Sequence, residues 1–240
     1  MIAVTGSASG IGAAVVSALD GHEVVGVDLR DAEVCADLST PGGRQRAIDE
    51  VLARGELEGL VLCAGVGPHT PDPMRIIEVN YWGAVALLDG LFPALRTAAV
   101  AVSSSASTMV RWADNPISRG EEASALASAG EYRGQLAYVW SKNALTVAVR
   151  QRVGAWGAAG VRLNTVAPGA VETPLLAGAL TDPRYGDAIR NYQAPIARHG
   201  RPEEVAALIV YLLGPQASYI HGAQFSIDGG SDALMRPTEF

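Results

Sequence analysis

The chain has 240 residues, 49% of them hydrophobic, and a formal net charge of −7, which suits one α/β domain with a sizeable core. Its arginines are scattered rather than gathered into a basic stripe, so nucleic acid is excluded as the expected partner, and no apolar run reaches the length of a membrane span. Two cysteines, Cys35 and Cys63, and four dispersed histidines form neither a disulfide framework nor metal-ligand spacing, so no metal is expected.

In chain order, a short apolar strand is predicted at 2–5, followed by Gly6-Ser7-Ala8-Ser9-Gly10-Ile11-Gly12 and an alanine-rich helix at 10–19. A strand that starts at residue 2 leaves no room for a signal peptide, which makes the cytoplasm the expected compartment. Glycines in such a turn let the backbone bend sharply and approach a pyrophosphate, and the helix start offers unpaired N–H groups with a positive dipole end. A second strand at 23–27 ends at Asp28. Strand, glycine-rich turn, helix, strand and acid, in that order, mark a dinucleotide-binding unit. An acid at Asp28 accepts hydrogen bonds from adenosine ribose hydroxyls and repels a 2′-phosphate, so NAD is favoured over NADP. Arg30 stands near enough to soften that preference, although a solvated loop charge is its ordinary role.

Further strands are predicted at 33–36, 59–63, 98–103, 161–166 and 223–227, and further helices at 41–54, 73–96, 136–153 and 202–213. The alternation argues for a parallel sheet covered on both faces. The expected fold class is α/β: a single-domain, Rossmann-type, doubly wound parallel sheet of about seven strands flanked by helices. It spans 1–240 without a repeat or linker, and the loops at the carboxyl ends of the strands, at 6–12, 28, 37, 63–67, 103–107 and 168–173, should form the site.

Within the helix predicted at 136–153, Tyr138 and Lys142 stand a turn apart on one face. Lys142 is the only lysine in the chain, against 17 arginines. A compact ammonium and a planar guanidinium are not interchangeable beside a reacting oxygen. A cation there favours phenolate and lowers the tyrosine pKa, making Tyr138 a usable acid and base. Alone, the pair reads as an ordinary surface helix, so the decision rests on the rest of the chain.

Thr5-Gly6-x-x-x-Gly10-x-Gly12, Asn80, Ser104, Tyr138-x-x-x-Lys142 and Pro168-Gly169-x-x-x-Thr173 together resemble the short-chain dehydrogenase/reductase family from end to end. Runs outside those motifs, among them Asp182-Pro-Arg-Tyr-Gly186 and His221-Gly-Ala-Gln224, are similar to its bacterial 3α-hydroxysteroid dehydrogenase/carbonyl reductase subgroup. The resemblance implies that Tyr138 exchanges a proton with the substrate oxygen and that Ser104 hydrogen-bonds the same atom. It implies that Lys142 holds the nicotinamide ribose and lowers the tyrosine pKa, and that the Asn80 side chain, mid-helix, holds a water in a proton relay. For the cofactor it implies contacts from Gly6, Ser9, Gly10, Ile11, Gly12 and Asp28. Asp37 and Leu38 would border the adenine, Val171 and Thr173 the nicotinamide carboxamide, with Cys63, Ala64, Gly65 and Pro168 completing the cradle.

The activity so implied is NAD-dependent interconversion of a hydrophobic secondary alcohol and ketone, with 3α-hydroxysteroids leading. Small cyclic, terpenoid or aromatic alcohols are one alternative, and a non-catalytic nucleotide-binding regulator is another, since fold does not fix function. Substrate walls are expected at 66–73, 105–112, Trp140 and 170–192, mostly apolar. Trp140 points elsewhere on its helix and is expected to pack, while Trp112 and Met109 suit the insertion core as well as a substrate contact.

Two departures from the family stand out. Cys63-Ala64-Gly65 replaces the usual Asn-Ala-Gly, which removes a hydrogen-bonding group from a strand-bridging position. Ser104 and Tyr138 are 34 residues apart, a wider gap than most relatives have, through an insertion at about 108–134 with a helix expected at 120–130. Such an insertion either blocks the dimer contact common among relatives, favouring another homodimer or homotetramer, or serves as a substrate lid.

Overall fold

The structure, a computed structural model, describes residues 1–191 and 194–239. Its strands are β1 (Ile2–Thr5), β2 (Val24–Asp28), β3 (Val34–Cys35), β4 (Leu57–Leu62), β5 (Leu95–Val102), β6 (Arg162–Pro168) and β7 (Gln224–Ile227). They form one sheet in the order β3-β2-β1-β4-β5-β6-β7, with every pairing parallel. The helices are α1 (Gly10–Ala18), α2 (Pro41–Leu52), α3 (Pro73–Ile77), α4 (Ala84–Leu91), α5 (Glu122–Ser128), α6 (Arg133–Ala158), α7 (Pro174–Thr181), α8 (Gly186–Asn191), α9 (Pro202–Leu213) and α10 (Ser231–Met235).

Alternate residues of one strand feed different layers, as the pleat requires. From β1, Ala3 joins a core with Leu60, Leu87, Leu91, Leu145 and Val149 beneath α2, α4 and α6. Ile2 and Val4 join Val15, Val100, Ile209 and Leu212 on the opposite face, beneath α1 and α9. The doubly wound α/β class is therefore observed. Chain order reverses between β1 and β4, and there Thr5, Val27 and Leu62 lie in register, so the three loops that follow open onto one crevice.

Prolines and caps set several helix starts. Thr40 accepts from Gly43 N ahead of Pro41, Asp72 accepts from Met74 N ahead of Pro73, and Thr173 accepts from Leu176 N ahead of Pro174.

The helix expected at 73–96 is instead α3, a π-helical turn at Glu78–Gly83 and α4, which ends at Leu91. Pro93 lacks the amide that would continue the helix, and Leu95 already pairs with Leu57 in the sheet. The helix expected at 136–153 begins earlier, at Arg133, and runs to Ala158. Helices α7, α8 and α10 were not expected, although the Thr173-Pro174 start of α7 is a readable signal.

The segment 108–134 folds as short 3₁₀ turns around α5, which agrees with the helix expected at 120–130. Its Ile117 and Leu126 share a third apolar cluster with Ile76 and Ile77 of α3 and Val139, Trp140 and Ala144 of α6. Asn115 pins it there, donating to Trp140 O at 2.9 Å and Asn143 Oδ1 at 3.0 Å. Asn143 in turn donates to Ser107 O and Val110 O.

Candidate active site

The carboxyl end of β1 turns through Gly6 at φ +68°, and a Cβ there would stand 2.8 Å from Ala64 N. Gly10 also has positive φ, and a Cβ on Gly12 would overlap the Gly6 carbonyl oxygen. Only glycine allows the loop to close this tightly. Ser9 precedes α1 in extended conformation without a side-chain cap, which leaves first-turn N–H groups to an anion. Asp28 closes the rim, accepting from Ala8 N at 3.0 Å and Leu29 N at 2.6 Å. These contacts fix the carboxylate beside the loop. Arg30 is turned into solvent, 3.8 Å from Asp31.

A cleft of about 270 Å³ gathers Gly6, Ser9, Gly10, Ile11, Gly12, Asp28, Asp37, Leu38, Cys63, Ala64, Gly65 and Thr173. Sequence reasoning missed Arg75, which also lines it and donates to both carboxylate oxygens of Asp37, at 3.3 and 3.1 Å. Burial raises the Asp37 pKa, but hydrogen bonds from Ser39 together with Arg75 outweigh it and hold the carboxyl below the usual value. No local pattern links Arg75 to Asp37, because the contact spans two elements.

Val171, expected beside the nicotinamide carboxamide, and Pro168, expected in the cradle, do not line the cleft. Pro168 closes β6, and Val171 is buried in the core opposite Gly200. Their backbone carries Thr173 to the cleft, where its Oγ1 donates to Val171 O and accepts from Leu176 N.

Helix α6 brings Tyr138 and Lys142 onto the same face. Lys142 is 5% exposed, its Nζ donates to Val102 O at 2.9 Å, and it lies 5.9 Å from the Tyr138 ring centroid. Burial pushes its pKa down to about 8, with Cys63 opposing the shift. The expected lowering of the Tyr138 pKa by Lys142 is not met in this structure. Burial raises it, and only a hydrogen bond with Ser104 pulls the other way. The ammonium is aimed at a backbone carbonyl rather than at the phenol.

Ser104, at the end of β5, caps the following turn by accepting from Ala106 N at 3.2 Å. Ser103 is structural: its hydroxyl donates to Lys142 O at 3.0 Å and lies 2.8 Å from Thr146 Oγ1. Thr146 and Ser107 both reach Gln224 Oε1, which ties β7, α6 and the serine loop together.

Asn80 is fully buried within the π-helical turn. Its Oδ1 accepts from Val66 N at 2.8 Å, and its Nδ2 donates to Val66 O and Ser141 Oγ. Both amide hydrogens are used, so a side-chain-held water would need a remaining lone pair of Oδ1. Burial pushes the Cys63 thiol up to about 12, against the pull of Lys142. Beside it, Thr5 Oγ1 accepts from Ala64 N at 3.0 Å, a backbone contact between β1 and the loop after β4 that does not depend on the side chain at position 63.

On the substrate side, Leu175 of α7 lines the cleft and lies against Gly67. Trp140 packs in the cluster beneath the insertion with Trp112 at its edge, whereas Met109 is exposed. Tyr192, the far end of the expected wall, lies outside the described residues.

A family profile described as enoyl-(acyl carrier protein) reductase matches residues 6–232. The 3-alpha-hydroxysteroid dehydrogenase/carbonyl reductase of Comamonas testosteroni is 53% identical, the match covering 100% of this chain and 99% of that protein. Coniferyl-alcohol dehydrogenase of Pseudomonas sp. is 31% identical, over 95% of each chain. Among solved structures, the NADH complex of 3-alpha-hydroxysteroid dehydrogenase from Pseudomonas sp. B-0831 superposes with a TM-score of 0.90 at 50% identity. That match covers 100% of this chain and 99% of the other.

Proposed function

The chain belongs to the short-chain dehydrogenase/reductase family, and on that premise we propose that it interconverts a hydrophobic secondary alcohol and its ketone with NAD, 3α-hydroxysteroids and 3-ketosteroids being the leading substrates. The observation that carries this reading is the arrangement of Ser104, Tyr138 and Lys142 beside a glycine-lined cleft whose rim is acidic. Relatives that act on 3α-hydroxysteroids support the substrate class.

The residues fit a dinucleotide. A Cβ on Gly12 would collide with the Gly6 carbonyl oxygen, so glycine is what lets the loop close into a cradle; the first turn of α1 offers N–H groups that would hold the diphosphate, and the Asp28 carboxylate at the rim would accept from the adenosine ribose hydroxyls. NAD, when bound, supplies the hydride acceptor. Tyr138 takes the hydroxyl proton in oxidation and returns it to the carbonyl oxygen in reduction. Ser104 donates to the same oxygen as its charge changes. Lys142, mostly charged at pH 7 with a pKa of about 8, would hold the nicotinamide ribose hydroxyls. Asn80 positions the backbone of Val66 at the mouth of the cleft.

The same reading has the protein act in the cytoplasm as a homodimer or homotetramer. Because the insertion covers one flank of α6, the subunits meet through another face, and the insertion is a packing element rather than a lid. Among the described residues, no helix is long and apolar enough to cross a membrane.

The test is NADH formation by the purified protein with NAD or NADP, on androsterone beside cyclohexanol. Steroid turnover with NAD is expected. Turnover of cyclohexanol alone would keep the chemistry and discard the steroid. A Tyr138→Phe change should lower turnover by a factor of about 10²–10⁴ while NADH binding stays within about twofold; unchanged turnover would end the acid–base assignment.

A further inference from the structure

Among the described residues, the buried side-chain atoms without a hydrogen-bond partner include the Tyr185 hydroxyl and His69 Nδ1. Tyr185 is 7% exposed. A buried hydroxyl with no partner has lost its water bonds without replacement, and such groups call for an explanation.

Their positions supply one. Gly134, Tyr138 and Lys142 are spaced i, i+4 and i+8, so they share one face of α6. Where a Gly134 Cβ would stand, the Tyr185 hydroxyl is 3.1 Å away, and the Pro68 carbonyl oxygen would overlap it. The free hydroxyl therefore lies about one helical turn from Tyr138, on the side where the catalytic groups lie. His69 follows Pro68 and is wedged between two glycines: its Cε1 lies 2.8 Å from where a Gly67 Cβ would stand, and its Nε2 lies 2.6 Å from that of Gly178 on α7. Leu175, which also borders Gly67, lines the cofactor cleft, so His69 lies one residue contact from that cleft.

Tyr185 is also held rigidly. The Arg184 guanidinium lies 4.9 Å from its ring centroid, and Arg184 is clamped to Asp182 by bonds of 3.0 and 2.7 Å. The Tyr185 amide donates to Asp182 O at 3.2 Å. A hydroxyl already fixed in place costs a ligand less to engage than a mobile one.

We propose that Tyr185 and His69 form a second polar contact of the substrate pocket, hydrogen-bonding an oxygen of the substrate other than the one that reacts. The inference rests on the alcohol/ketone reading and narrows it: preferred substrates are apolar bodies carrying a second hydrogen-bonding oxygen. A hydroxyl contact of this kind discriminates against an analogue that lacks the oxygen, since the site's own groups are then left unpaired.

The experiment measures kcat/KM for ketones matched in shape but not in oxygen count: 5α-androstane-3,17-dione against 5α-androstan-3-one, and 4-hydroxycyclohexanone against 4-methylcyclohexanone. Wild type, Tyr185→Phe and His69→Leu are compared, each checked for unchanged NADH affinity. In at least one pair the wild type should favour the ketone with the second oxygen. Tyr185→Phe should cut that preference about tenfold, the size of one hydrogen bond, and His69→Leu should cut it in the same pair. Rates on the partner lacking the oxygen should hold. The inference is overturned if the preference survives Tyr185→Phe, or if both members of each pair fall together. A wild type that reduces both members well without a shift in the variants refutes this contact alone; one that reduces no ketone removes the parent reading as well.

Discussion

Replacing Lys142 by methionine should leave the ligand-free protein at least as stable at neutral pH while ending its turnover. In the folded chain Lys142 titrates near 8 because burial disfavours the ammonium, against 10.5 for an ordinary lysine. At 1.36 kcal/mol per pKa unit, that gap is a penalty of about 3 kcal/mol. Below pH 8 both folded and unfolded lysine are protonated, and the penalty is fully present. Between pH 8 and 10.5 the unfolded chain holds a proton that the folded chain lacks, so wild-type stability gains with pH from this group. Above 10.5 the penalty is gone. Methionine never carries the penalty, but it leaves Val102 O without its 2.9 Å donor, a loss of about 1–3 kcal/mol. The variant should therefore be as stable as wild type or up to about 2 kcal/mol more stable at pH 7, and should lose any advantage by pH 10. Urea midpoints of both proteins at the two pH values, at one protein concentration, provide the measurement. Groups that titrate alike in both proteins cancel in the difference. A variant less stable than wild type at pH 7, by a margin that does not change with pH, would refute the argument that burial of this cation costs stability for the sake of chemistry.

Asp28→Ala should erode the preference for NAD over NADP by about tenfold, the scale of one charge-assisted hydrogen bond; an unchanged ratio of kcat/KM values would show that another residue reads the ribose. In Gly12→Ala the new methyl would meet the Gly6 carbonyl oxygen, so NADH affinity should fall and unfolding should become easier by about 1–3 kcal/mol. Fluorescence titration and urea unfolding would both have to be unaffected to exclude this. Asn115→Ala removes a fully buried side chain that bonds Trp140 O, Asn143 Oδ1 and Ile117 N. Hydrogen exchange should speed up across the insertion, with a loss of about 2–3 kcal/mol, while NADH affinity holds. Equal protection in both proteins would mean that the insertion is held by its apolar contacts alone.

Much of this site was legible because its determinants are local in sequence. Gly6, Gly10 and Gly12 answer to backbone geometry, and Tyr138 and Lys142 to the pitch of a helix. Asp28 follows from where a strand must end; the glycines and Asp28 line one cleft, and Lys142 lies behind its Gly65. Long, strongly apolar strands were likewise readable, since a parallel strand buried on both faces leaves a continuous apolar run. The helix expected at 73–96 failed at Pro93, a local signal that the apolar pattern overrode, and at the π-helical turn holding Asn80, which no periodicity announces.

The sequence by itself determined the fold class, the nucleotide cradle and the pairing of Tyr138 with Lys142, because each depends on residues within a few turns of one another. Only the tertiary structure decided that Arg75 clamps Asp37, that Thr5 Oγ1 receives the Ala64 amide, and that the insertion lies on α6. It also decided that burial raises the Tyr138 pKa rather than Lys142 lowering it, and that the Tyr185 hydroxyl lies against Gly134 of α6 with no partner among the described residues. Desolvation and long-range hydrogen bonds belong to the packed interior. They depend on which elements meet, and local spacing carries no record of that.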